Sequence, residues 1–297
     1  IAGSFVVLQK RTTEFWFATG MMAASVKHVL QGELIKSDTY PTNLEMLYFQ
    51  EKLAFKHVFF AKPVDTQLHQ RIGQCVVWFN DYGELLHLFD EVFIQKLYYF
   101  SAITQTPYII DCGSHIGTTV LFFKSVYPQA KIIAIEPDDR NFELLTKNIE
   151  TNALSNVTAI KKALHDHTGT LNFFQGDGAT TQSSLINHKN FKHVKQVACM
   201  PLSELITEPV DFLKMDIEGA EHVVFADLER KNKLHLIKEM VLEYHHHLDK
   251  SEDNLSHFLA ILERNNFGYQ IRHGGHTTMS EKMTPQYLIL YAYQKNE

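Results

Sequence analysis

The chain has 297 residues, of which 45% are hydrophobic and 21% charged, with a formal net charge of −6 and a pI near 6.3. That composition suits a folded chain with room for one large domain or two modest ones. It argues against a general nucleic-acid binder, and without an apolar run of about 18 residues no transmembrane segment is expected.

The three cysteines, Cys75, Cys112 and Cys199, are few, odd in number and far apart. They fit a reducing, cytoplasmic setting better than a disulfide scaffold. No signal peptide is expected, and a homo-oligomer stays open.

Residues 1–74 read as an N-terminal extension, partly helical, with no assigned role. Ile1–Leu8 has strand character. Glu14–Leu30 has a helical stripe of Phe15, Met22, Val26 and Val29, more a core face than a membrane or partner surface. Breakers near Pro41 precede a second helix over Leu44–Phe55. The main domain is expected over 75–297, with a cofactor-binding core at about 107–245. It opens with two short apolar runs, Cys75–Phe79 and Glu84–Phe89, separated by Asn80-Asp81-Tyr82-Gly83, which predict a hairpin. Asp90 is placed to cap a helix over Glu91–Ala102.

The next stretch carries the clearest pattern. Tyr108-Ile109-Ile110 is an apolar run ending in Asp111, followed by Cys112-Gly113-Ser114-His115-Ile116-Gly117 and a helical segment to Val126. Lys131–Ile135 is a second apolar run, ending in Glu136. Strand, glycine loop, helix and strand make the first half of a nucleotide-binding unit. The glycines admit a ligand close to the backbone, and loop amides and the helix N-terminus face it. Glu136 is placed to accept hydrogen bonds from ribose hydroxyls. About 25 residues separate the two acids, near the ~20 expected between loop and ribose acid.

The loop lacks the G-x-G-x-x-G triplet that a dinucleotide pyrophosphate wants. An acid before the first glycine instead suits a cationic ligand, and S-adenosylmethionine carries an ammonium and a sulfonium. The spacing D-x-G-x-x-x-G resembles the first motif of class I methyltransferases.

Beyond Glu136, Asp138 is a cap for a helix to about Thr151. Val157–Ile160 is a third strand, and Thr170–Phe174 and Lys195–Met200 form a pair around a polar excursion, Gln175–Val194. That excursion reads equally as a mobile acceptor-pocket loop or a plain surface loop. Val210–Met215 is a strand ending at Asp216, Gly219–Leu228 a helix, and Ile237–Tyr244 a strand ending near Glu243 and His245. A helix over Asn254–Asn265 and a closing hairpin, Tyr269–Arg272 with Tyr287–Tyr293, complete the pattern. The alternation predicts an α/β fold with a mostly parallel sheet, helices on both faces and an antiparallel C-terminal edge strand.

Ligands gather at the carboxyl ends of such strands. Here those ends carry Asp111, Glu136, Ala163-Leu164-His165, Asp216 and Glu243/His245. Asp211-Phe212-Leu213-Lys214-Met215-Asp216-Ile217-Glu218-Gly219-Ala220-Glu221 reads D-F-x-K-x-D-x-E-G-x-E. Coming after D-x-G-x-x-x-G, it resembles the FkbM-type family of class I S-adenosylmethionine-dependent methyltransferases. The resemblance runs from about residue 84 to 293, and Ile135-Glu136-Pro137, Lys162-Ala163-Leu164 and Ser183-Ser184-Leu185 extend it. Cys112 to His115 depart from the family, which often has smaller or amide residues there.

The resemblance implies a Rossmann-like fold and an O-methyltransferase acting on a sugar, glycolipid, polyketide or related small natural product. It places Asp111, Gly113 and Gly117 under the methionine part, with Ser114, His115 and Thr118 beside them. Glu136 would hold the ribose, Ala163 would meet the adenine edge by its backbone, and Asp216, Glu218 and Glu221 would face the reaction side.

In-line methyl transfer needs aligned oxygen, carbon and sulfur, and positioning supplies several kcal/mol. A base that takes the hydroxyl proton adds about 10²–10⁴-fold. Asp216 is the first candidate, then His245, with Glu218 beside them; binding the cofactor ammonium or capping the following helix are plainer roles for Asp216. Asp216, Glu218, Glu221 and His245 are also candidate ligands for a divalent metal, although Glu218 and Glu221 read more readily as solvated acids at a helix start. Neighbouring His245, His246 and His247 alternate in direction and cannot easily share one metal, and His273-Gly274-Gly275-His276 reads as a turn. The rivals are methylation of a nitrogen or a macromolecule, a NAD-dependent oxidoreductase, and a catalytically silent binding module that engages a partner through residues 1–74.

Overall fold

The computed structural model describes residues 35, 37, 39–59, 67–175, 183–184, 193–246, 255–273 and 286–295. The expected strand at Ile1–Leu8, the helix at Glu14–Leu30, most of the Gln175–Val194 excursion, His247 and the turn after His273 lie outside them. The chain divides into two compact units. One comprises Ile1–Tyr99, Ile116–Pro128 and Leu144–Leu154; the other comprises Phe100–His115, Gln129–Glu143 and Ser155–Glu297.

In the first unit, α1 (Asn43–Phe59) starts in a capping box. Thr42 Oγ1 accepts from the Glu45 amide, and Glu45 Oε2 accepts from the Thr42 amide at 2.8 Å, so two orphan donors are satisfied reciprocally. β1 (Leu68–Ile72) and β2 (Cys75–Phe79) pair antiparallel through a tight turn at Gly73, φ 53°. The hairpin partner of Cys75–Phe79 is therefore not Glu84–Phe89. That segment lies in a helix, α2 (Tyr82–Phe89). Asp81 decides the matter by accepting from the amides of Gly83 and Glu84 at 2.8 and 3.0 Å, an N-cap rather than a hairpin turn.

The helix expected over Glu91–Ala102 is also corrected. Asp90–Ile94 is a single π-helical turn that continues α2. Asp90 is occupied by the side chains of Gln50 and Gln95 at 2.7 and 2.6 Å, not by backbone amides of a new helix.

The open edge of β2 is met by two asparagines one turn apart on α4 (Asp139–Thr151) and just beyond it; α3 (Thr118–Val126) precedes it in the chain. Asn148 Oδ1 accepts from the Trp78 amide at 2.6 Å, and its Nδ2 donates to the carbonyls of Trp78 and Ile116 at 3.0 and 2.7 Å. Asn152 makes the same double contact with Val76, both bonds at 2.7 Å. Side-chain amides thus replace a third strand, satisfying groups that would otherwise lack partners. Phe49, Phe89, Phe93 and Phe122 pack in sequence with ring centroids 4.8, 5.3 and 5.5 Å apart.

The second unit is built on β3 (Tyr108–Cys112), in which every residue is buried, as expected of a strand covered on both faces. β4 (Lys131–Ile135) and β5 (Val157–Ile160) extend the sheet on one side, parallel to β3. On the other side lie β10 (Val210–Met215) and β11 (Ile237–His246), also parallel. β13 (Gln286–Gln294) runs antiparallel to β11 and to β12 (Phe267–His273), which is outermost. Among the described residues the order is β12-β13-β11-β10-β3-β4-β5, a Rossmann-like, mostly parallel sheet with the expected antiparallel pairing at its C-terminal edge. The order reverses beside β3, and such a switch point is where ligands bind.

Two helices, α5 (Glu221–Arg230) and α6 (Leu255–Arg264), supply Val224, Phe225, Leu228, Phe258, Ile261 and Leu262 to one core with Leu213, Met240 and Leu290. Full burial of each such side chain stabilises by about 1.5–3 kcal/mol. A smaller sheet joins β6 (Ala163–His165), β9 (His193–Pro201), β7 (Gly169–Gln175) and β8 (Ser183–Ser184). It contains the expected pairing of Thr170–Phe174 with Lys195–Met200. No described helix is long and apolar enough to cross a membrane.

Candidate active site

The site in the second unit starts where β3 ends. Gly113 has φ 79°, and a Cβ built on it would lie 1.7 Å from the Asp216 carbonyl oxygen. No residue but glycine fits this crossing, which carries the β3 loop directly over the end of β10. The crossing is tied on each side. The amides of Gly113 and Ser114 both donate to the Ile135 carbonyl at 2.9 Å, and the Asp216 amide donates to the Cys112 carbonyl at 3.0 Å. Ser114 Oγ turns back to the Asp111 carbonyl at 2.9 Å.

Lys214 lies beneath the crossing and is 3% exposed. Its Nζ donates to the Gly113 carbonyl at 2.5 Å and lies 3.5 Å from Asp111 Oδ1 and 4.0 Å from Asp216 Oδ2. A buried ammonium needs such company, because an unpaired buried charge is strongly destabilising. Lys214 therefore couples the acid of the glycine loop to the acid of the next strand. Cys112 is fully buried, and burial, with Asp111 nearby, pushes its thiol well up.

Glu136 ends β4 and is 5% exposed. Its Oε2 accepts from the His115 amide and its Oε1 from the Asp138 amide, both at 2.9 Å. His115 adopts the left-handed region, φ 51°, and this turns its amide inward. Burial raises the Glu136 carboxyl above its usual range, against the opposing pull of His115 and the two amides. Asp138 caps α4 as expected, accepting from the amides of Arg140 and Asn141 at 2.9 and 3.1 Å. Lys195 Nζ reaches its other oxygen at 3.2 Å.

The third group follows β10. Asp216 Oδ1 is buried and makes no hydrogen bond among the described residues. Glu218 stands in the left-handed region at φ 59°. Glu221, 1% exposed, accepts from the amides of Ile217 and Gly219 at 3.3 and 3.1 Å and from His245 Nδ1 at 3.0 Å. Glu221 is therefore not a solvated helix-start acid. Asp216 does not cap the following helix either; the α5 N-cap, Ala220, has no side-chain cap bond among the described residues.

His245, on β11, directs its Nε2 at Glu218 Oε2, Glu243 Oε1 and Asp216 Oδ1, at 3.4, 3.8 and 3.9 Å. Burial disfavours its charge, but Glu221, Glu218 and Glu243 outweigh burial and hold it well above the ordinary histidine range. Burial likewise opposes charge on Glu221, and His245 overcomes that to keep its carboxyl low.

Among the expected residues the structure thus joins Asp111 to Asp216 through Lys214, and joins Asp216, Glu218, Glu221 and His245 in one cluster. Gly117 and Thr118 lie in the first unit. Gly117 heads α3 with φ 86°, and a Cβ there would meet Leu145 Cδ1 at 2.7 Å. Thr118 Oγ1 is buried and has no hydrogen bond among the described residues. Ala163 is in β6 of the smaller sheet and buried, paired with Cys199. The sequence reading missed a role for Lys214, whose signal is a lone lysine inside an apolar strand, and it missed the part Glu221 plays in fixing His245.

The arrangement gathers five carboxylates (Asp111, Asp216, Glu218, Glu221 and Glu243) around Lys214 and His245, with Glu136 at the end of β4. That surplus of negative charge suits a cationic ligand and disfavours a pyrophosphate.

Residues 111–271 match the methyltransferase FkbM domain, more than half of the chain. Methyltransferase sdnD of Sordaria araneosa is 27% identical over 194 residues, covering 54% of this chain and 74% of that protein. Methyltransferase 1 of Beauveria bassiana (strain ARSEF 2860) is 29% identical over 211 residues, covering 63% and 82%. The crystal structure of methyltransferase FkbM from Methylobacillus flagellatus KT is similar at 19% identity and a TM-score of 0.44, covering 71% of this chain and 54% of that one. This chain spans about half the length of that solved protein. With its domain match, its parallel sheet and its D-x-G-x-x-x-G and D-F-x-K-x-D-x-E-G-x-E motifs, the chain belongs to the FkbM methyltransferase family.

Proposed function

We propose that the protein transfers the methyl group of S-adenosylmethionine to a hydroxyl of a sugar, glycolipid, polyketide or related small natural product. The observation that carries this reading is the Gly113–Asp216 crossing with Lys214 beneath it. It makes the cofactor loop and the strand-end carboxylate one assembly, so a methyl donor held by the first would be presented to the second.

In this reading Asp111 and the amide of Gly113 receive the methionine part. Ser114 and His115 lie beside it, Glu136 takes the ribose hydroxyls, and Ala163 meets the adenine edge. When bound, S-adenosylmethionine would supply a methyl group to the acceptor oxygen, with the carbon–sulfur bond broken as the oxygen–carbon bond forms and S-adenosylhomocysteine released. Asp216 would take the hydroxyl proton. Asp216 is preferred because its Oδ1 has lone pairs that no hydrogen bond among the described residues uses, whereas His245 Nδ1 is committed to Glu221. The methyltransferase domain is assigned to residues 75–297 and an extension to residues 1–74.

Calorimetric titration with S-adenosylmethionine and, separately, NAD⁺ tests the cofactor. Binding of the first alone is expected, and binding of NAD⁺ alone refutes the reading. A screen of hydroxyl acceptors by mass spectrometry then tests the chemistry. A methyl gained only on nitrogen, or only on a macromolecule, refutes O-methylation of small molecules.

A further inference from the structure

We propose that Asp216, Glu218 and His245, with Glu243 beside them, form a binding site for one divalent cation. One donor atom from each of the first three lies within 4.8 Å of the others. The distances from His245 Nε2 to the three facing carboxylate oxygens are 3.4, 3.8 and 3.9 Å. A six-coordinate ion with ligands at 2.0–2.1 Å sets neighbouring donors about 2.9 Å apart and opposite donors about 4.1 Å apart, so the donors would close by about 0.5–1 Å at neighbouring positions as the ion binds.

Two further observations point to a ligand rather than to a chance gathering of acids. The His245 side chain is 1% exposed, and its Nε2 is aimed at the facing carboxylates, whereas its Nδ1 is fixed by Glu221 at 3.0 Å. A metal-bound histidine has this arrangement, its far nitrogen held by a carboxylate that sets the tautomer and ring orientation, and an ion bound at Nε2 would take the place of the proton that the acids otherwise favour there. Asp216 Oδ1 is buried and makes no hydrogen bond among the described residues. Lys214 approaches the other oxygen, Oδ2, at 4.0 Å, and so leaves Oδ1 to the cluster. Carboxylates with a single imidazole suit Mg²⁺- and Mn²⁺-like ions better than a thiophilic metal.

A cation here would acidify a coordinated hydroxyl and so ease loss of the proton that Asp216 is proposed to receive on its other carboxylate oxygen. That role rests on the methyl-transfer reading; the binding itself does not.

The test is titration of the full chain with Mn²⁺, followed by loss of the free-ion paramagnetic resonance signal, with neither cofactor nor acceptor present. One bound ion per chain is expected. Asp216→Asn and Glu218→Gln are expected to abolish it, and Glu221→Gln to weaken it about 10–100-fold. His165, Asp166 and His167 form another convergent trio, so His167→Ala is the control and is expected to leave the affinity unchanged. Circular dichroism verifies folding, and Glu218→Gln, at a one-third exposed side chain, carries the test if Asp216→Asn does not fold. No chain-bound ion, binding that survives in the folded variants, or binding lost in His167→Ala would each overturn the site. S-adenosylmethionine affinity is measured separately, so a failed methyl-transfer reading with Mn²⁺ still bound is recognisable.

Discussion

Replacing Gly113 with alanine tests the crossing on which the proposed site rests. The added Cβ would start 1.7 Å from the Asp216 carbonyl oxygen. Real Cβ contacts essentially never fall below 3.0 Å, so loop and strand must part by more than 1 Å. The backbone there is at φ 79°, which costs an L-residue roughly 1–2 kcal/mol. Separation also stretches the Asp216–Cys112 backbone bond and the Lys214 bond to the Gly113 carbonyl, each worth about 0.5–1.5 kcal/mol, and more where charge is involved.

The total of about 3–5 kcal/mol predicts a fall in melting temperature on the order of 10 °C. A loop displaced by this much no longer presents its groups to the cofactor, and loss of one charge-assisted hydrogen bond of about 1.5–3 kcal/mol weakens S-adenosylmethionine binding by about tenfold or more. Calorimetric titration with S-adenosylmethionine below the melting range, with thermal melts alongside, reads both effects. A variant that melts within a degree or so of the parent and binds the cofactor equally well would refute the crossing as the organiser of the site.

Asp111→Asn and Glu136→Gln are each expected to weaken S-adenosylmethionine binding by about tenfold or more, the loss of a charge-assisted hydrogen bond of 1.5–3 kcal/mol; unchanged affinity in both refutes their placement. Because burial raises the Glu136 carboxyl, the folded state holds its proton more tightly than the unfolded state does. Ionising it therefore lowers stability as pH rises from the usual Glu value near 4.3 through the raised one. Glu136→Gln should accordingly gain stability relative to the parent between about pH 4 and pH 7, read by urea melts; an equal difference at both pH values contradicts this. Lys214→Met strands the buried Asp111 carboxylate and should cost about 3–5 kcal/mol in denaturant melts. Asn148→Ala removes three hydrogen bonds at the β2 edge, so a loss of about 2–4 kcal/mol is expected, and a melting point within a degree of the parent would count against it.

The parallel sheet was legible because each of its strands is a short apolar run closed by an acid or a turn. Asp111, Glu136, Asp216 and His245 could be named from those run ends alone. The region around Asp81 was not, since Asn-Asp-Tyr-Gly serves a hairpin turn and a helix cap equally well; the choice went to the cap once Leu68–Ile72 took the β2 edge. Asp90 misled for a related reason, its carboxylate being claimed by Gln50, forty residues earlier in the chain. The burial of Glu221 was likewise out of reach, because a helix-start glutamate looks solvated until the strand that brings His245 is known. Lys214 could have been read, since a charge buried in a central strand must have a partner.

The placement of β13 sets a timetable for synthesis. β11 lies between β10 and β13, with Met240 opposite Ala292. It leaves the ribosome about fifty residues before its second neighbour does. At about 5–20 residues per second, that interval lasts roughly 3–10 s. Throughout it the strand carrying His245 has one unpaired edge flanked by Met240, Val241 and Leu242, a template for pairing with other nascent chains. Slower translation between His246 and Gln286 would lengthen that exposure, so yield of folded protein should depend on codon choice in that interval more than in any stretch of equal length before β11.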